Sequence, residues 1–190
     1  MKKIAVFASG NGSNFQSIVD YIKEGKLKAH LALLVCDKPG AKVIERAKNA
    51  QIPSFVFNPK SYESKEHFEK DILQQLIEYE IDLIVLAGYM RLIGPTLLQP
   101  YQGKIMNIHP SLLPSFPGKN AIEQALEAGV KITGVTIHYV DEGMDTGPII
   151  AQRAVEISEV DNAETLAQKI HQVEHTFYPE IIQQWINENK

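Results

Sequence analysis

Apolar residues recur along this chain in two rhythms. Four continuous runs, in residues 3–9, 31–36, 53–57 and 81–87, have strand length; the first reads Ile4-Ala5-Val6-Phe7-Ala8. Unbroken apolar strands suit a parallel sheet covered on both faces. Between the runs, apolar residues fall at helical spacing. Phe15, Ile18, Val19 and Ile22 form one stripe, and Val43, Ile44 and Ala47 a second within residues 41–50. Phe68, Ile72, Leu73, Leu76 and Ile77 form a third within residues 61–80. The run at 81–87 is the most apolar and is expected at the centre of the sheet. A short helix around Pro95 (93–98) follows, then the run Lys104-Ile105-Met106, then a helix over 120–128 closed by Gly129. Residues 131–140 alternate (Ile132, Val135, Ile137, Tyr139), which predicts a strand with one solvated or site-facing side. Residues 147–157 read as its antiparallel partner. Leu166, Ile170, Val173, Phe177, Ile181 and Trp185 mark a long C-terminal helix that Pro179 should kink. The strand–helix alternation predicts an α/β fold with a doubly wound, mostly parallel sheet. An antiparallel C-terminal hairpin and a long C-terminal helix are added to it.

Composition narrows this picture only slightly. The 190 residues predict one domain, 44% apolar and 22% charged, without repeats or low-complexity tracts. A net charge of −4 speaks against non-specific nucleic-acid binding. The single cysteine, Cys36, rules out an internal disulfide and fits a reducing compartment. The apolar run after Met1-Lys2-Lys3 is too short for a secretory signal, and no segment approaches a membrane span, so a cytoplasmic location is expected.

Three stretches carry candidate chemistry. Ser9-Gly10-Asn11-Gly12-Ser13-Asn14 lies between the first strand and its helix, where backbone N–H groups and the helix dipole can meet an anion. It resembles a dinucleotide fingerprint, with Asp37 as the ribose acid, but Phe15 replaces the third glycine. A single phosphate on Asn11, Gly12, Ser13 and Asn14 is therefore the favoured reading, beside a ligand-free tight turn and a dinucleotide site. The second stretch is Asn107-Ile108-His109-Pro110-Ser111-Leu112-Leu113-Pro114. Strand geometry turns Asn107 and His109 to one side at a strand end, where open α/β sheets bind ligands. Asp145, in an acidic glycine loop, can charge and orient His109, and Asn107 can donate to an oxyanion. That set suits acyl or formyl transfer to a substrate amine. Ser111 lacks the nucleophile-elbow context. The third stretch, His171-Gln172-Val173-Glu174-His175, matches a zinc-peptidase pattern. Both histidines fall away from the apolar stripe and the ligand set is incomplete, so a solvated pair is expected, with Glu174 at the stripe's edge. His30 and His67 read as surface residues, and His138 as either site-facing or structural.

Together these blocks, with Leu86-Ala87-Gly88-Tyr89-Met90-Arg91 and Asp145-Thr146-Gly147-Pro148, resemble the folate-dependent formyltransferases over essentially the whole chain. The Gly-Asn-Gly-Ser-Asn loop narrows the resemblance to the branch that formylates glycinamide ribonucleotide. The resemblance implies a Rossmann-like formyltransferase fold and transfer of formyl from 10-formyltetrahydrofolate to the amine of N1-(5-phospho-D-ribosyl)glycinamide, in purine biosynthesis. It implies Asn107, His109 and Asp145 as catalytic residues, and Asn11, Gly12, Ser13, Asn14 and Glu174 as ribonucleotide contacts. It also implies a folate pocket of Lys65, Met90, Arg91, Leu92, Ile93, Asn107, Val140, Asp141, Glu142 and Asp145. Residues 1–100 would form the phosphate-binding half, and 101–190 the catalytic and folate-binding half. Lys65 stands where the family often has Arg, losing the bidentate fork. Asn120 and Ile122 stand where some members have histidines. The expected partners are small-molecule substrates, without metal, nucleic acid or membrane, and the protein is expected as a monomer or weak homodimer. A tRNA formyltransferase would add a C-terminal domain and a formyltetrahydrofolate deformylase an N-terminal one. A phosphate-binding regulator using the glycine loop and Asp37 is the reading from another class.

Overall fold

Strand and helix alternate through the first half, in a computed structural model that describes residues 1–190. The elements are β1 (Lys3–Ala8), α1 (Ser13–Lys23), β2 (His30–Cys36), α2 (Lys42–Asn49), β3 (Ser54–Val56), α3 (Lys65–Glu78) and β4 (Leu83–Leu86). There follow α4 (Pro95–Leu98), β5 (Ile105–His109), α5 (Ala121–Ala128), β6 (Ile132–Tyr139), β7 (Ile149–Glu156) and α6 (Ala163–Glu188). One seven-stranded sheet has the order β3-β2-β1-β4-β5-β6-β7. Strands β3 to β5 pair in parallel, and β6 runs antiparallel to both β5 and β7. This is the expected doubly wound sheet with its hairpin and long last helix.

The apolar strands hide an alternation that only the two covering layers reveal. Ile4, Val6 and Ala8 of β1 pack with α1, α2 and α6, whereas Ala5 and Phe7 pack with α3 and α4. In β5, Met106 and Ile108 join the first layer. Asn107 and His109 therefore turn to the other face. On β6, Asn107 pairs with His138 and His109 with Thr136, so four polar side chains share one patch of sheet. Residues 110–120 roof part of it: Thr136 Oγ1 donates to the Ser111 carbonyl at 2.6 Å and accepts from Leu113 N at 3.0 Å.

Several expectations are corrected. The helix expected from residue 61 begins at Lys65, because Asn58 caps a 3-10 turn at Pro59–Ser61 and Ser64 caps α3 anew. Ile77 is 59% exposed; it lies roughly 100° round from Leu76, on the solvent side of α3. Glu69, on the same helix, is buried instead. In β6 Ile132 is exposed, yet Thr133, Thr136 and His138 are buried, so of its two expected readings the polar side is the site-facing one and not a solvated one. Glu174 lies not at a stripe's edge but 6% exposed within α6, which stays helical through Pro179. The Tyr178 hydroxyl, wholly buried, lies 2.8 Å from the Leu86 carbonyl and 3.2 Å from that of Met106, tying α6 to β4 and β5.

Candidate active site

Asp145 is the hub of the polar patch. Its Oδ2 lies 3.4 Å from His109 Nδ1 and its Oδ1 lies 3.6 Å from His138 Nε2. Gly118 N donates to Oδ2 at 2.8 Å. Burial pushes the carboxyl up, but the bond from His138, the Gly118 N–H and the charge of His109 outweigh it and hold Asp145 below its usual range. The residue reaches this position with φ +56°, a left-handed conformation that Asp tolerates better than most. At His109, Nε2 donates to the Phe116 carbonyl at 2.8 Å while Nδ1 faces the carboxylate. Both ring nitrogens thus face acceptors. His138 donates from Nδ1 to the Tyr139 carbonyl at 2.8 Å, and its Nε2 lies 3.3 Å from Asn107 Nδ2. His138 therefore faces the site, which resolves its two open readings. Ser111 points its hydroxyl at the Ser115 and Phe116 carbonyls of its own loop, at 2.6 Å and 3.2 Å, as a loop residue would.

The glycine loop lies on the α6 side of the sheet. Gly12 caps α1 with φ 77°, and a Cβ there would come within 2.5 Å of Val43 on α2. Only glycine meets both demands. Asn14 Nδ2 donates to Glu174 Oε2 at 3.2 Å, joining loop to α6, and Asn14 Oδ1 is buried without a partner. Burial pushes Glu174 up to about 7. Arg46 of α2 was not singled out in the sequence. It donates from Nε and Nη2 to the carbonyl and side-chain oxygens of Asn11, both at 2.8 Å. His175 is not fully solvated: its Nε2 is buried and unpaired, and burial, His171 and Arg46 together lower its pKa. No group of three or more His, Cys, Asp and Glu residues is arranged to hold a metal ion.

Residues 88–94 follow β4 at the same end of the sheet. Met90 is 74% and Leu92 49% exposed, while Ile93 is buried. Gly94 N donates to the buried Glu69 carboxylate at 2.8 Å. Lys65 lies beside this anchor, its Nζ 3.9 Å from Glu69. Val140 N donates to the Ile105 carbonyl at 2.9 Å, bringing the acidic loop to β5. Asp141 Oδ1 accepts from Gly143 N and Thr146 Oγ1, shaping that loop, and Glu142 is exposed. Asp37 is not a free ribose acid: Ser9 Oγ donates to it at 2.5 Å and Arg91 Nε at 2.7 Å. Glu69 and Arg46 carried no motif in the sequence, because an acid or base on a helix face reads as solvated until its neighbours are known.

The model of the formyl transferase family matches residues 2–182 of this chain, which carries its mostly parallel sheet and polar patch within that span; the chain belongs to that family. It is 65% identical over 189 residues to the phosphoribosylglycinamide formyltransferase of Bacillus subtilis strain 168, covering 100% of this chain and 97% of that one. A solved glycinamide ribonucleotide transformylase 1 from Geobacillus kaustophilus superposes with a TM-score of 0.95 at 64% identity, over 97% of this chain and 98% of that one. The trifunctional purine biosynthetic protein adenosine-3 of Drosophila melanogaster is 41% identical over 98% of this chain, which spans 14% of that protein.

Proposed function

We propose that this protein transfers the formyl group of 10-formyltetrahydrofolate to the amine of N1-(5-phospho-D-ribosyl)glycinamide, in purine biosynthesis. The observation that carries the reading is the buried Asp145 carboxylate set between His109 and His138, with Asn107 beside them. Polar groups arranged in this way stabilise a developing oxyanion and move a proton without a nucleophilic side chain. The names borne by the full-length relatives support the acceptor and the group transferred.

In this mechanism the amine nitrogen bonds to the formyl carbon, and the carbonyl oxygen becomes an oxyanion. Asn107 carries two amide N–H groups and gives one of them to that oxygen. His109, as imidazolium, adds its charge; the oxyanion is an acceptor like the Phe116 carbonyl and exchanges with it at Nε2. Collapse breaks the bond to the folate N10, which takes up a proton as the former amine loses one. The products are the N-formyl ribonucleotide and tetrahydrofolate. Asp145 orients and charges His109. Asn11, Gly12, Ser13 and Asn14 receive the phosphate at the start of α1, and Glu174 helps to hold the ribonucleotide. Met90, Arg91, Leu92 and Ile93, with Lys65, Val140, Asp141 and Glu142, receive the folate. Two sites held at adjacent strand ends make the attack effectively unimolecular.

This reading makes the protein a small-molecule enzyme of the cytoplasm, acting without a metal ion. The test is formation of N-formyl ribonucleotide from the two purified substrates, before and after exhaustive chelation. Full activity in both is expected. No product, or activity that returns only with added metal, contradicts the proposal.

A further inference from the structure

Asp37 was noticed in the sequence as a ribose-binding acid, and the proposed reaction gives it nothing to do. Its side chain is only 7% exposed. Both of its oxygens are taken: Ser9 Oγ donates to Oδ1 and Arg91 Nε to Oδ2. Ser9 Oγ in turn accepts from Met90 N at 2.9 Å. Met90 and Arg91 are chain neighbours, so the contacts close a ring: Met90 N–H to Ser9, Ser9 O–H to Asp37, Arg91 N–H to Asp37, and back along the chain. Each donor has one acceptor, and the ionised carboxylate strengthens both bonds it accepts. The Arg91 guanidinium is held from a further side, 5.8 Å over the Phe68 ring. At the far end of the same loop, Gly94 N is tied to Glu69. A loop fixed at both ends is what allows Met90 and Leu92 to stay exposed instead of folding onto the core.

We propose that Asp37 is a positioning residue for the folate side of the site: through Ser9 and Arg91 it fixes the loop at residues 88–94 in its binding conformation. The inference rests on the folate reading given above. Asn in place of Asp37 keeps the volume, and Arg91, whose side chain is 40% exposed, can be rehydrated, so the fold should survive. The test titrates wild type, Asp37→Asn, Arg91→Gln and the double variant with 5,8-dideazafolate, an unreactive folate analogue. Asp37→Asn should raise the Kd about tenfold, the loss expected for one charge-assisted hydrogen bond. With both substrates saturating, kcat should stay within about threefold of wild type, as should the KM for the ribonucleotide. In the Arg91→Gln background, adding Asp37→Asn should cost less than about twofold more, because the two act as one unit. An unchanged Kd in Asp37→Asn overturns the proposal. Penalties that multiply in the double variant do so too, as does a parallel loss of folate affinity, ribonucleotide affinity and melting temperature. A wild type that does not bind the analogue overturns the folate reading itself and this inference with it; wild-type binding that Asp37→Asn leaves untouched overturns the inference alone.

Discussion

The two ends of the sheet both carry charged groups and treat them oppositely. At the amino end, Lys2 pairs with Asp82 at 3.3 Å with both side chains about one-third exposed, and Lys3 pairs with an exposed Glu80. A cleft of about 710 Å³ opens there, lined by Met1, Lys2, Lys26, Lys28, Asp82 and Gln183 among others. At the carboxyl end, Asp37, His109, Asp145 and Glu174 are each at most 10% exposed and each meets a specific partner. Room alone does not make a site. In the open cleft water screens the lysines, whereas at the carboxyl end burial leaves each polar group to a specific partner in place of water. Topology chooses the end: the chain leaves β1 toward β2 in one direction and returns to β4 in the other, opening a crevice beyond the strand ends.

The largest effect should come from His109→Ala, which is expected to slow formyl transfer by about 10² to 10⁴, the range for a lost general acid–base group. A loss below tenfold, in single-turnover assays, would erase the contrast between the two ends. Glu174 gives the next effect, through pH. Its carboxyl is raised from 4.5 to about 7 in the folded protein, so the folded state holds the proton more tightly than the unfolded one. The stability this confers is present below pH 4.5 and is lost as pH rises toward 7. The difference is on the order of 3 kcal/mol. Glu174→Gln, neutral at every pH, should therefore gain on wild type as pH rises from 5 to 8 in denaturant titrations; a constant gap between the two would place Glu174 with the exposed charges. The smallest effect is expected at the amino end. Lys2→Ala should cost less than about 1 kcal/mol of stability, as partly exposed ion pairs do, and leave turnover unchanged.

Much of this contrast was legible in the sequence. The apolar runs located the parallel strands, because a strand covered on both faces has little polar surface to interrupt it. The glycine loop was legible because Gly12 answers a backbone constraint, and Asn107 with His109 because strand parity puts them on one side. What stayed hidden depends on neighbours that topology supplies. His138 could be assigned no facing until register set it opposite Asn107. Arg46 and Glu69 read as solvated helix charges until Asn11 and Gly94 were found against them. Asp37 stayed open as the ribose acid of the less favoured dinucleotide reading, because nothing in the sequence announces that Arg91, 54 residues later, folds onto it. Ile77 erred in the opposite sense: helical spacing extended the apolar stripe by one residue beyond the surface that α3 buries.

The central claim is that the buried Asp145 acts on the reaction through His109 and not by building the pocket. The direct measurement is single-turnover formyl transfer by Asp145→Asn, set beside its equilibrium affinity for the ribonucleotide. The account predicts a rate lower by about 10² or more with affinity within about threefold of wild type. Rate and affinity that fall together, or a rate near wild type, would contradict it.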